Sequence, residues 1–181
     1  TGNFGPDLVL LIKAAKDAEL KVRFYTYYGN ALGAPTALGD AGIGRLRLVT
    51  TWETNNLPPR MKTIYDSFKA KYPKNDIFHT GVIEMVGLLG DAATKAGSIE
   101  PKRVALALEG LKTQGAFGEV EMRAGDHQLL APLFIQTFAP VDGRQVRHGI
   151  EGLKLGFKTD ATIPPRDTAP VQTCQMKRPA P

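Results

Sequence analysis

The sequence predicts an α/β fold in which an early, partly parallel sheet gives way to a helical section and then to further strands. Three observations lead there: two helix-then-strand steps before Thr51, three consecutive stretches with helical periodicity between Arg60 and Leu111, and period-two alternation beyond Gly110. A length of 181 residues, 43% hydrophobic and 23% charged, suits one folded domain or two small ones.

Gly5-Pro6-Asp7 opens the first helix, because proline costs no hydrogen bond in a first turn and Asp7 complements the positive helix end. Leu8, Leu11, Ile12 and Ala15 recur at helical spacing, which predicts a helix from about Asp7 to Ala18. Lys21–Tyr25 alternates and is rich in strand formers. Gly29–Gly44 carries five glycines and one proline, so it reads as a loop with one short helix around Pro35–Asp40. Arg45–Thr51 alternates cleanly as a second strand, and the breaker cluster Asn55–Pro59 is the best candidate for a crossover between two lobes.

Helices follow. Met61, Ile64, Tyr65, Phe68 and Tyr72 share one face of Arg60–Tyr72, which Pro73 stops, and Ile77–Ala96 is apolar on most sides, as expected of a helix buried between layers. Gly97 is then a C-cap and Ser98 an N-cap for a helix with Pro101 in its first turn. Phe117–Met122 and Leu133–Phe138 are expected to pair as a hairpin around Gly125-Asp126-His127. Leu153–Phe157 is a short strand or turn. Beyond Lys158, prolines at 164, 165, 170, 179 and 181 leave an extended tail. The first helix has no strand before it, so the chain reads as if it starts mid-domain.

The net charge of +5 and pI near 9.3 raise the possibility of nucleic acid. Lysines and arginines are scattered from Lys13 to Arg178, mostly beside acids, so no nucleic-acid partner is expected. A single cysteine, Cys174, rules out an intramolecular disulfide. The longest apolar run, Leu8–Ile12, falls far short of the roughly 18 residues of a membrane span. Chemical signatures are missing too: there is no nucleophile elbow, phosphate loop or His-Glu-x-x-His. Gly42-Ile43-Gly44 lacks the third glycine of a dinucleotide fingerprint, since Arg47 stands there. His79, His127 and His148 are far apart, so neither metal nor cofactor is expected. Asp126-His127 reads as a turn pair, and Ser67 and Ser98 as surface or cap positions. The cluster Tyr25-Thr26-Tyr27-Tyr28-Gly29 is more suggestive, because in open α/β sheets ligands bind beyond the C-terminal ends of strands. Core packing is an equal reading for Tyr25.

The segments TGNFGPDL, AAKDAELKVRFYTYYGN, GDAGIGRLRLVTTW, FKAKYP, the AGS boundary, RVALALEGL and MRAGDHQ resemble, in order and spacing, the C-terminal half of type I periplasmic solute-binding proteins of ABC transporters. The likeness is greatest to the branched-chain amino acid type, which includes receptors for aromatic acids and amides. It implies two Rossmann-like, three-layer lobes that close on a small-molecule solute and present it to a membrane permease in the periplasm, without catalysis. By that resemblance residues 1–53 belong to the second lobe, 54–152 to the first after a hinge crossing, and 153–181 to a return segment and tail touching the second lobe, with the N-terminal half missing. A ligand-sensing domain of a regulator is the alternative. The resemblance also implies ligand-binding roles for Asn3, Phe4, Tyr27, Tyr28, Gly29, Phe78 and His79. Amino-acid binders place an acid for the ligand ammonium at the tyrosine loop. Here none stands there and Asp40 is too far along, which favours an aromatic or aliphatic carboxylate or an amide over a plain α-amino acid, with a branched-chain amino acid as the remaining alternative.

Overall fold

The computed structural model describes residues 1–30 and 33–178. Ala31 and Leu32 of the glycine-rich loop and the prolines at 179 and 181 of the tail lie outside the described residues. In chain order the elements are α1 (Pro6–Asp17), β1 (Phe24–Thr26), α2 (Ala34–Leu38) with a 3₁₀ turn (Gly39–Gly42), β2 (Leu46–Thr50), α3 (Pro59–Lys71), α4 (Thr80–Ala96), α5 (Pro101–Leu108), β3 (Lys112–Gly115), β4 (Gly118–Met122), β5 (Leu129–Leu130), β6 (Leu133–Pro140), β7 (Leu155–Ile163) and α6 (Pro165–Thr168).

Two sheets organise them: a four-stranded sheet in the order β1-β2-β6-β7, and a three-stranded sheet in the order β3-β4-β5. β1 and β2 run parallel, with Phe24 opposite Leu46 and Thr26 opposite Leu48. The other pairings are antiparallel. Pro6 and Asp7 start α1 as the sequence predicts, and its buried stripe Leu8, Val9, Ile12 and Ala15 packs with α2 against β2. Leu8, Ile12, Leu46 and Phe138 are fully excluded from solvent; burial of each contributes about 1.5–3 kcal/mol. A smaller core of Trp52, Met61, Tyr65 and Ala116 joins the crossover after β2 to α3 and the β3–β4 turn.

That crossover is pinned. Glu53, 7% exposed, accepts from Asn55 N at 2.8 Å, Asn56 N at 2.6 Å and Thr159 Oγ1 at 3.1 Å. Asn55 donates through Nδ2 to Phe157 O at 2.8 Å and accepts at Oδ1 from Arg147 N at 2.8 Å.

Several expectations are corrected. The hairpin between Phe117–Met122 and Leu133–Phe138 does not form: β4 pairs with β3 and β5, and β6 pairs with β2 and β7. The chain thus re-enters the four-stranded sheet at Leu133, within the 54–152 segment, rather than at 153. Pro132, which has no N–H for a ladder, separates β5 from β6. β7 runs nine residues, well past the short strand expected. Glu100, not Ser98, caps α5, its carboxylate accepting from Lys102 N and Arg103 N at 3.2 and 2.8 Å. α4 is not covered all round, since Val82, Met85, Val86 and Leu89 are exposed on one face. Beyond β7 the tail does not stay on the four-stranded sheet. Arg123 Nη1 donates to Pro170 O at 2.7 Å, and Arg178 reaches Glu109 at 2.7 Å and Ala124 O at 2.5 Å, beside the β4–β5 turn. Local alternation predicts strands but not their partners, which is why the pairing errors fall here.

Candidate functional site

A cavity of about 510 Å³ opens where the two sheet-bearing parts meet, a size suited to a small organic molecule. Leu48, Gln136 and Phe157 from the four-stranded sheet form its floor. Asn30 and Thr36, on either side of the start of α2, and the segment 148–151 border it on that side. Across it stand Tyr65 of α3 and the loop 74–78 between α3 and α4, while Trp52 and Thr54 of the crossover close the back.

Aromatic surface dominates the back wall. Trp52 and Tyr65 are buried, with ring centroids 6.5 Å apart, and His148 meets Tyr65 edge-on at 5.2 Å. Burial, reinforced by Asp76 and Asp66, pushes the Tyr65 phenol up to about 12, so it remains a hydrogen-bond donor at neutral pH. Burial also holds His148 below its ordinary value, which keeps the imidazole uncharged at neutral pH. Gln136, 2% exposed, offers an amide from the floor.

Two carboxylates reach the rim, and both are engaged. Asp76 faces Lys69 Nζ at 3.1 Å and accepts from Glu151 N at 2.5 Å. Glu151 accepts from Gly33 N at 2.5 Å, Thr36 N at 3.0 Å and Thr36 Oγ1 at 2.5 Å. Lys74 lines the same wall. Among the described residues no group of three or more His, Cys, Asp or Glu is placed to hold a metal ion.

Of the seven residues singled out by sequence, Phe78 lines this cavity. Phe4, Tyr27 and Tyr28 are brought together beyond the end of β1: Phe4 meets Tyr28 edge-on at 5.4 Å and Tyr27 meets Tyr28 at 6.5 Å. All three are exposed. Asn3 lies beside this cluster in sequence, its amide N–H bonded to Thr1 Oγ1 at 3.2 Å. Gly29 is buried, and a Cβ there would sit 2.7 Å from Leu46 Cδ1, so a larger residue would require Leu46 to shift. His79 is exposed at the N-cap of α4, its ring edge-on to Phe78 at 5.0 Å. Tyr25 is 47% exposed and is not a core residue. Sequence reasoning missed Trp52, Tyr65, Asp76, His148 and Glu151. No local signal marks them, since each gains its role by meeting residues distant in the chain.

Known proteins converge on the same class of molecule. The family model described as periplasmic binding protein matches residues 1–144. The chain belongs to that family. A Leu/Ile/Val-binding protein homolog 4 from Brucella abortus (strain 2308) is 30% identical over 191 residues, covering 99% of this chain and 44% of the relative. A closed-conformation crystal structure of a leucine-, isoleucine-, valine-, threonine-, and alanine-binding protein from Brucella ovis superposes with a TM-score of 0.84 at 27% identity, over 99% of this chain and 46% of that one. A solute binding protein of an ABC transporter from Rhodopseudomonas palustris BisB5, solved with 3,4-dihydroxy benzoic acid, shares the fold at a TM-score of 0.61 and 14% identity, covering 91% of this chain and 51% of that one. The fold is thus that of the type I periplasmic binding proteins, and the chain spans a little under half the length of the curated relatives it matches. No helix among the described residues is long and apolar enough to cross a membrane.

Proposed function

We propose that this chain supplies the C-terminal half of an extracytoplasmic solute receptor of an ABC importer. It would act without catalysis, in the periplasm, together with a segment corresponding to the part of its relatives that it does not cover. The four-stranded sheet with α1 and α2 would belong to the second lobe, and α3 to α5 with the three-stranded sheet to the first. The solute would be held where strand-end loops and the 74–78 loop face each other, and delivered to a permease. Closure would be driven by solute binding better to the closed arrangement than to the open one.

The solute is a small carboxylate or amide without a primary ammonium group. One observation supports this: among the described residues the cavity is bordered by two carboxylates, Asp76 paired with Lys69 and Glu151 held by three N–H and O–H donors. No acid stands in the Tyr27–Gly29 loop where the resemblance implies one, and Asp76 and Glu151 already accept from Lys69 and from N–H and O–H donors. A buried ammonium without a counter-charge is strongly disfavoured. Lys74, Gln136 and the Tyr65 phenol favour an acceptor-rich ligand instead. Asn3, Phe4, Tyr27, Tyr28 and Phe78 would cover its apolar part, with Gly29 and His79 shaping the same loops.

Thermal-shift screening of the natural full-length protein tests this, using amino acids, benzoates, phenylpropanoids and short amides. A ligand at a hundredfold excess over its Kd adds about 2.7 kcal/mol of stability. Acids or amides are expected to raise the melting temperature. Shifts from leucine and valine with none from any acid or amide would overturn the solute assignment.

A further inference from the structure

We infer that Asp76 and Glu151 form a latch that holds the two sheet-bearing parts in their closed arrangement and thereby positions the solute loops. The inference rests on the receptor reading in one respect, that these parts move relative to each other.

Asp76 lies between α3 and α4, on the side of the three-stranded sheet, whereas Glu151 lies between β6 and β7, on the side of the four-stranded sheet. One Asp76 oxygen faces Lys69 Nζ of α3 at 3.1 Å, and the other accepts the Glu151 backbone N–H at 2.5 Å. The Glu151 carboxylate then binds Gly33 N, Thr36 N and Thr36 Oγ1 at 2.5–3.0 Å. A continuous polar chain therefore runs from α3, across the junction, to the first turn of α2. Asn30, three residues before Gly33 and two after Tyr28, lines the cavity. Moving Asp76 would release Glu151, and with it the hold on the start of α2.

Backbone geometry at the junction fits a specified contact. Glu151 has φ of 52°, a left-handed conformation that a residue with a side chain adopts at a cost and keeps only where its surroundings fix it. Here the fixing groups come from both sides of the junction. Gly152 follows at φ 73°, and a Cβ there would lie 3.5 Å from Lys74 Cγ, so the Lys74–Asp76 and Gly149–Gly152 segments are in near contact along the rim. The Asp76 and Lys69 side chains are 23% and 21% exposed, which screens the pair less than a surface pair. The role is positional: each oxygen of Asp76 and Glu151 already accepts from a protein donor, and together the two residues set how far apart the ligand-facing walls stand.

The test uses energy transfer between dyes at Lys13→Cys on α1 and Arg103→Cys on α5, both exposed positions, in the natural full-length protein with Cys174→Ser. No solute is added. A hydrogen bond to a charged group shifts an equilibrium about tenfold or more, so Asp76→Ala is expected to lower the closed-to-open ratio about tenfold. Asp66→Ala, which removes an exposed pair with Lys62 within α3 and no hydrogen bond of Asp76 or Glu151, should leave it unchanged. Should Asp76→Ala not fold, Asp76→Asn takes its place, since it keeps an acceptor for Glu151 N and loses only the charge facing Lys69; a partial shift to the open form is expected. Histograms of the folded Asp76 variant that superpose on the wild type would overturn the latch, as would an equal shift in Asp66→Ala. Because no solute enters, failure to bind any solute would sink the receptor reading and leave this result readable.

Discussion

Replacing Gly29 by alanine isolates the packing that seats the tyrosine loop. An added Cβ would lie 2.7, 3.0 and 3.2 Å from Leu46 Cδ1, Cδ2 and Cγ, inside van der Waals contact with all three. Leu46 cannot swing away freely, because it is 0% exposed and packed in the core with Leu8, Ile12 and Leu48. Forcing one methyl group into a filled core costs about 1–3 kcal/mol. For a chain of this size a loss near 2 kcal/mol lowers the melting temperature by about 6 °C. Leu46→Ala alone should cost about 2–5 kcal/mol through the cavity it leaves. In the double variant the new methyl occupies part of that space, so the two losses should fall short of additivity by about 2 kcal/mol. Circular-dichroism melts of the four proteins measure the cycle. A Gly29→Ala melting temperature within about 1 °C of wild type, or strict additivity with Leu46→Ala, would refute the argument that Leu46 is what demands glycine there.

Three further perturbations follow from buried polar groups. Glu84 is 2% exposed; one oxygen accepts from Phe117 N at 3.1 Å, the other has no partner, and burial raises its pKa. A raised carboxyl pKa means a stability contribution that is complete below the unfolded-state value and lost as pH rises through the folded-state value. Glu84→Gln should therefore stabilise the protein at pH 7, by about 1 kcal/mol, and lose this advantage near pH 4; urea unfolding showing a less stable variant at pH 7 would contradict it. His148 behaves in the opposite sense. Its pKa is depressed by burial from about 6.5, so its contribution is present above that value and lost as pH falls. Between pH 7.5 and 5 the wild-type melting temperature should drop more than that of His148→Gln, and parallel curves would rule His148 out as a source of acid lability. Asn55→Ala removes the side-chain bonds that tie the crossover to Phe157 and Arg147 and should cost about 2–3 kcal/mol in urea unfolding; an unchanged midpoint would mean that the crossover is held by Trp52 and Glu53 alone.

Much of the fold could be read locally. Pro6-Asp7 and the Leu8–Ile12–Ala15 stripe fix α1, the clean alternation of Arg45–Thr51 marks β2, and Pro59 and Pro73 bracket α3. What failed was long-range. The alternation in Phe117–Met122 and in Leu133–Phe138 is real, but a period of two says nothing about which strand lies alongside. The prolines from 164 onward suggest an extended tail from Lys158, yet Lys158–Ile163 continue β7, an edge strand that pairs only with β6 in the four-stranded sheet. α4 looked buried on most sides because both faces are apolar, and the outer one is open here. The same division holds at the site. The position of Tyr27 and Tyr28 beyond a strand end is legible and Phe4 enters through the family resemblance, whereas Asp76 and Glu151 lie 75 residues apart and meet across a junction.

The central claim concerns one missing charge partner, so the most direct measurement compares two solutes that differ only in an ammonium group. Isothermal titration of the natural full-length protein with L-leucine and with 4-methylpentanoate keeps the branched side chain and the carboxylate and removes the amine. An ammonium buried without a counter-ion costs more than 1.4 kcal/mol, so the deaminated acid should bind at least about tenfold more tightly. Tighter binding of L-leucine by the same margin would mean that a carboxylate does face the ligand, and the account of this site would be wrong.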